Sequence, residues 1–61
     1  MNPQIYIVKD TELVAMYIDA EIGIEYDILD KNEIIVFEPT KKEQKRIKAF
    51  ISNNKLWLDE E

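Results

Sequence analysis

Between Val14 and Ile28 every even-numbered residue is apolar: Val14, Met16, Ile18, Ala20, Ile22, Ile24, Tyr26 and Ile28. From residue 19 onward the odd positions are Asp19, Glu21, Gly23, Glu25 and Asp27, polar or without a side chain. Period two over this length is the signature of a half-buried strand. A straight strand over 13–29 would run ~56 Å at about 3.3 Å per residue. A chain of 61 residues folds to a radius of gyration of only about 10–11 Å. The segment must therefore bend between Asp19 and Gly23, or reach into a second subunit. Gly23 is the only glycine and the natural place for the bend.

A helix competes for the same residues. Asp10 or Thr11 suits an N-cap, Glu12 suits the first turn, and Gly23 suits the end. Leu13, Met16, Tyr17 and Ala20 would then share a face. A weak internal echo favours strand: Val8-Lys-Asp-Thr-Glu-Leu-Val aligns with Leu29-Asp-Lys-Asn-Glu-Ile-Ile. The second copy reads as a hairpin, with Ile24–Leu29 and Ile34–Phe37 flanking the polar turn 30–33. The C-terminal helix is signalled more directly. Thr40 and Glu43 form a capping box, Ile47, Phe50 and Ile51 follow at i, i+3 and i+4, and Asn53-Asn54 suits a left-handed end.

The expected fold is a single α+β domain over 1–61. It has strands at about 4–9, 12–19, 22–29 and 33–38, a helix at 41–53 and a tail at 54–61. This is a small antiparallel β-meander of three to four strands, with one C-terminal helix packed on one face. If 11–22 is helical, the order becomes β-α-β-β-α.

A domain of this size buries only about 60% of the surface that its unfolded chain exposes. With no Cys and no His, it has neither disulfides nor an ordinary zinc site to help. Packing alone, or packing with self-association, must hold it. One helix covers one face of a sheet, yet several strands are apolar on both faces. Ile5 and Ile7 oppose Tyr6 and Val8, and Ile34 and Val36 oppose Ile35 and Phe37. An uncovered apolar face marks an interaction site. The expected patch is Tyr6, Val8, Val14, Met16 and Ile18, closed over by Trp57 and Leu58 of the tail or by a partner.

Catalytic equipment is missing from the composition. One Ser, two Thr and no His or Cys offer no activated nucleophile beside a base, and one glycine cannot build a phosphate cradle. The run Asp30-Lys31-Asn32-Glu33-Ile34 lacks the ligands and the glycine of a calcium loop. No enzyme activity, cofactor or metal is expected.

Net charge is −5, unevenly spread. Residues 1–38 hold nine acids against Lys9 and Lys31, whereas 39–55 hold six cations against Glu43. Lys41, Lys42, Lys45, Arg46 and Lys48 fan over one side of the C-terminal helix. They form either a solvated face, a contact for an acidic protein, or a nucleic-acid surface. Lys41 and Lys42 oppose the helix dipole, so helix stability does not explain them. Asp19, Glu21, Glu25 and Asp27 would line one face of a strand, as a solubilising row or an imitation of a phosphate backbone. Trp57 is either a plug or a protruding anchor.

The leading expectation is a non-enzymatic protein-binding module that occupies a partner's surface and forms a homodimer. Nucleic-acid binding through the basic helix and phosphate mimicry are the alternatives. The start Met1-Asn2-Pro3-Gln4 shows no secretory pattern, and the longest apolar run, 13–18, is short of a membrane span. A cytoplasmic location is expected, with no membrane partner. The Ile-, Lys-, Glu- and Asn-rich composition suits a small accessory or inhibitor protein of phage or other mobile elements.

Overall fold

A computed structural model describes residues 2–59 of the chain. The order is β1 (Gln4–Ile7), α1 (Thr11–Tyr17) continuing into a π-helical turn (Ile18–Ile22), β2 (Tyr26–Asp30), β3 (Glu33–Val36) and α2 (Lys41–Asn53). The radius of gyration is 10.4 Å. The fold is α+β, with a three-stranded antiparallel sheet and a C-terminal helix, in the β-α-β-β-α order. The helix falls where its capping box and apolar stripe predict. Of the tail, Glu60 and Glu61 lie outside the described residues, as does Met1.

Two sequence expectations are corrected. Residues 12–19 are not a strand. Asp10 caps α1, its Oδ1 accepting from the Leu13 N–H at 3.0 Å, and Thr11, Val14, Ala15 and Ile18 turn inward at helical spacing. Gly23 closes the segment at φ +77°, donating its N–H to the Ile18 carbonyl at 2.7 Å. The echo between 8–14 and 29–35 does not carry over into structure: Asp10 and Asp30 fall at different positions of it and serve different elements. Asp30 also accepts a nearby N–H, that of Asn32 at 2.8 Å, but there it starts a turn. The strand expected over 22–29 is correspondingly confined to Tyr26–Asp30.

The sheet is also not a meander. Its order is β1-β3-β2, so the first strand joins the sheet beside the last. Ile5 lies opposite Ile35 and Tyr6 opposite Ile34, while Tyr26 and Ile28 face Val36 and Ile34 from the other side. Beyond β1, the tail adds a short fourth rung. Val8 bridges to Trp57, Lys9 N–H donates to the Leu56 carbonyl at 2.7 Å, and Leu58 N–H donates to the Ile7 carbonyl at 3.2 Å. The C-terminal end of the β1 edge is thereby covered, while β2 forms the other edge of the sheet.

Both helices lie on one side of the sheet. The core gathers Tyr6 and Val8 from β1, Val14, Ala15 and Ile18 from the first helix, Ile34 and Val36 from β3, and Ile47, Ile51 and Leu56 from the C-terminal part. Tyr17 of α1 and Phe50 of α2 stack with centroids 4.2 Å apart and planes 12° from parallel, joining the helices at the rim. Helix α2 carries its capping box as expected: Glu43 N–H to Thr40 Oγ1 at 3.1 Å, and Thr40 N–H to Glu43 Oε1 at 2.8 Å. Its C-terminal end differs. The left-handed residue is Lys55, at φ +56°, rather than Asn53 or Asn54. Lys55 N–H reaches the Ser52 carbonyl and Leu56 N–H the Ile51 carbonyl, the Schellman pattern with its usual apolar contact between Leu56 and the last turn.

Candidate functional site

A sheet with helices on one side leaves the other side to be accounted for. Strand alternation places Ile5 and Ile7 of β1 opposite in direction to the buried Tyr6 and Val8. Across the register, Ile35 stands beside Ile5 and points the same way; Phe37 follows two residues on. Leu58, hydrogen-bonded to Ile7, extends the row onto the tail. Ile5 is 55% exposed, Phe37 41% and Leu58 40%, and Ile7 and Ile35 are half-buried. These five side chains form one apolar surface that no element among the described residues covers.

The border of this surface on the β2 side carries acidic side chains, with Leu29 of the same strand 49% exposed beside them. Asp27 pairs with Ile35, and the Glu25 carbonyl accepts the Phe37 N–H at 3.2 Å, which sets both carboxylates on the open face. Side chains two apart on a strand stand roughly 7 Å from each other. Glu38 joins Glu25 around an open depression beside Phe37, lined also by Gly23 and Ile24. Glu33 faces Ile7 at the other end. Among the described residues no Lys or Arg nitrogen lies within 4 Å of any of these carboxylates.

The residues singled out in the sequence divide between core and surface. Tyr6, Val8, Val14 and Ile18 are 0–3% exposed and form the core, so they offer no surface to a partner. Met16 is 65% exposed but stands on α1, away from the open face of the sheet. Trp57 is half-buried. Its Nε1–H donates to Ser52 Oγ at 2.9 Å and its ring lies 6.3 Å from that of Tyr6, tilted by 46°. It closes the core beside β1 instead of protruding, while Leu58 remains on the open face. The residues that make up that face, Ile5, Ile7, Ile35 and Phe37, were visible in the sequence only as one side of doubly apolar strands.

The acidic row is divided by the helix. Asp19 accepts a hydrogen bond from the Tyr26 hydroxyl at 2.9 Å, and Glu21 sits 3.9 Å from Arg46 across a solvated gap. Only Glu25 and Asp27 remain as neighbours on one face. The basic residues do share a surface: Lys41, Lys42, Lys45, Arg46 and Lys48 are all exposed on α2. The capping box answers the question posed by Lys41 and Lys42, because the Glu43 carboxylate already supplies an anion at that helix end.

Among the described residues no group of three or more acidic side chains is placed to hold a metal ion, and no helix is long and apolar enough to cross a membrane. A second open depression of about 250 Å³ lies between the start of α1 and the β2–β3 turn, with Lys9, Asp10, Glu12, Ile28 and Lys31 on its walls. No protein-family model, curated protein or solved structure matches the chain.

Proposed function

We propose that this protein is a non-catalytic binding module that docks onto another protein through the open face of its sheet. The observation that carries this reading is the row Ile5, Ile7, Ile35, Phe37 and Leu58, apolar, contiguous and uncovered. A chain of this size has little core to spare. Leaving large aliphatic and aromatic side chains in water forgoes about 25 cal/mol per Å², and a contiguous group of them marks a surface that is covered in use. Phe37, flanked by Glu25 and Glu38, is the natural anchor. The module acts by occupying a partner surface, as a cytoplasmic accessory or inhibitor protein does.

The test is capture from a cell extract of the native host, comparing the wild type with the double variant Ile5→Ser, Phe37→Ser. Both positions are exposed, so circular dichroism of the variant should match the wild type. A protein retained by the wild type and lost by the folded variant supports the reading. The same proteins retained by both would sink it.

A second reading rests on α2. Lys41, Lys42, Lys45 and Lys48 form a cationic surface with no carboxylate within 4 Å among the described residues, which suits nucleic acid. It requires DNA or RNA binding that weakens steeply with salt and disappears when these lysines become Gln. No aromatic side chain interleaves the charges as single-strand binders use, which ranks it second.

A further inference from the structure

The size and border of the open face say what kind of partner it takes; this inference rests on the docking reading above. The apolar row spans three chain segments, the tail, β1 and β3. At ~4.8 Å between segments and ~6.6 Å between same-face residues, its footprint is roughly 15 by 13 Å. That is on the order of 200 Å², far below the about 800 Å² that each partner contributes to an ordinary globular interface. A second copy laid face to face on this surface alone would bury too little for a stable dimer. With the two-fold axis across the strands, symmetry would also bring two borders of Glu25, Asp27 and Glu38 toward each other, and like charges at an interface oppose association.

One α-helix fits the same footprint. With side chains it is about 10–12 Å across, and three turns of it cover about 16 Å. Its apolar stripe would lie over Ile5, Ile35 and Phe37. Its flank would run along the carboxylates of Glu25, Asp27 and Glu38, which no cation of the described chain neutralises. At the opposite end, Lys9 and Lys31 stand among Asp10, Glu12 and Asp30 around the separate depression, so cations and acids are mixed there. We infer that the open face of the sheet binds an amphipathic helix of a partner protein whose flank carries arginine or lysine. The helix completes a helix–sheet–helix sandwich, its apolar stripe against Ile5, Ile35 and Phe37 and its cations against Glu25, Asp27 and Glu38.

The test uses two synthetic 18-residue helical peptides with the same leucine stripe, one flanked by arginine and the other by glutamate. Each is titrated into isotopically labelled protein at low salt and followed by amide chemical shifts. The expected result is that the arginine peptide shifts Ile5, Ile7, Ile35, Phe37 and Leu58 and binds at least about tenfold more tightly than the glutamate peptide. Replacing Glu25 by Gln and Asp27 by Asn should weaken the arginine peptide about fivefold or more and leave the glutamate peptide unchanged or tighter. These two residues are exposed, so the variant folds. Equal affinity for both peptides, or indifference to the charge variant, overturns the inference and leaves the docking face standing. A doubling of mass with concentration, with shifts on the same face, assigns the face to a second copy and also overturns it. Shifts confined to α1 or α2 overturn both the inference and the docking reading.

Discussion

Asn32 holds Val8 by both of its backbone groups: Val8 N–H donates to the Asn32 carbonyl at 2.8 Å, and Asn32 Nδ2 donates to the Val8 carbonyl at 2.9 Å. The turn between β2 and β3 is thereby tied to the end of β1, 24 residues away in the chain. The same residue closes the turn, its N–H bonded to Asp30 Oδ1. Its side-chain bond is partly buried. Asn32→Ala would leave the Val8 carbonyl without a donor, at a cost of about 1–2 kcal/mol. Asn32→Asp is expected to cost more, since a carboxylate would face a carbonyl oxygen. Urea denaturation checks both; an Asp variant as stable as the wild type would rule out the side-chain tie.

The two left-handed residues among those described predict opposite outcomes. Gly23, at φ +77°, has open space where a Cβ would stand, so Gly23→Ala carries only the conformational cost, about 1 kcal/mol destabilising. Lys55, at φ +56°, already bears that cost. Lys55→Gly relieves it while keeping the bonds from Lys55 N–H to Ser52 and from Leu56 N–H to Ile51. A gain of about 0.5–1 kcal/mol is expected, reduced by the greater freedom of glycine in the unfolded chain. Thermal melts of the two variants should move in opposite directions, and a shift of both in the same direction would contradict this account.

Legibility in the sequence followed how local each signal was. Helix α2 was readable because its capping box and its stripe of Ile47, Phe50 and Ile51 lie within twelve residues and agree. The β2–β3 hairpin was readable from Asp30 and Asn32. Residues 11–22 misled because Val14, Ile18 and Ile22 are four apart, a spacing common to a strand of period two and a helix of period 3.6. Only Met16 and Ala20 separate the two, and an exposed methionine looks the same as a buried one in a sequence. The pairing of β1 with β3 is non-local, and nothing in residues 4–8 announces it. Because β1 is apolar on both faces, only its register against Ile34 and Ile35 decides that Tyr6 and Val8 turn inward while Ile5 and Ile7 turn outward. An uncovered apolar face could be expected, but its membership could not.

That ambiguity yields a direct contrast. Val14 is fully buried and Met16 is 65% exposed, although both fall on the even side of the alternation. Val14→Asp buries an unpaired charge, which exceeds the stability of a domain this small, and should abolish cooperative unfolding. Met16→Asp should change stability by no more than about 0.5 kcal/mol. A strand over 12–19 would make the two variants equally damaging, so far-UV circular dichroism and urea melts of the pair discriminate directly.

The Tyr6 hydroxyl is buried and has no hydrogen-bond partner within the described structure. An unsatisfied buried donor costs about 1–3 kcal/mol, so Tyr6→Phe is expected to leave stability at pH 7 unchanged or raise it by about 1 kcal/mol. The same burial pushes the Tyr6 phenol above its ordinary value of 10.0. A folded-state pKa above the unfolded one gives a contribution that is complete below about pH 10 and is lost as pH rises through the folded value. The unfolded chain then releases its proton while the folded core still holds it. Tyr26 acts in the same sense, because its hydrogen bond to Asp19 holds its phenol above the usual value. Tyr6→Phe should therefore lessen, without removing, the loss of stability between about pH 9 and pH 11. Urea midpoints for wild type and variant at pH 7 and pH 10.5 measure the difference. An identical decline in the two proteins would mean that the Tyr6 hydroxyl reaches solvent.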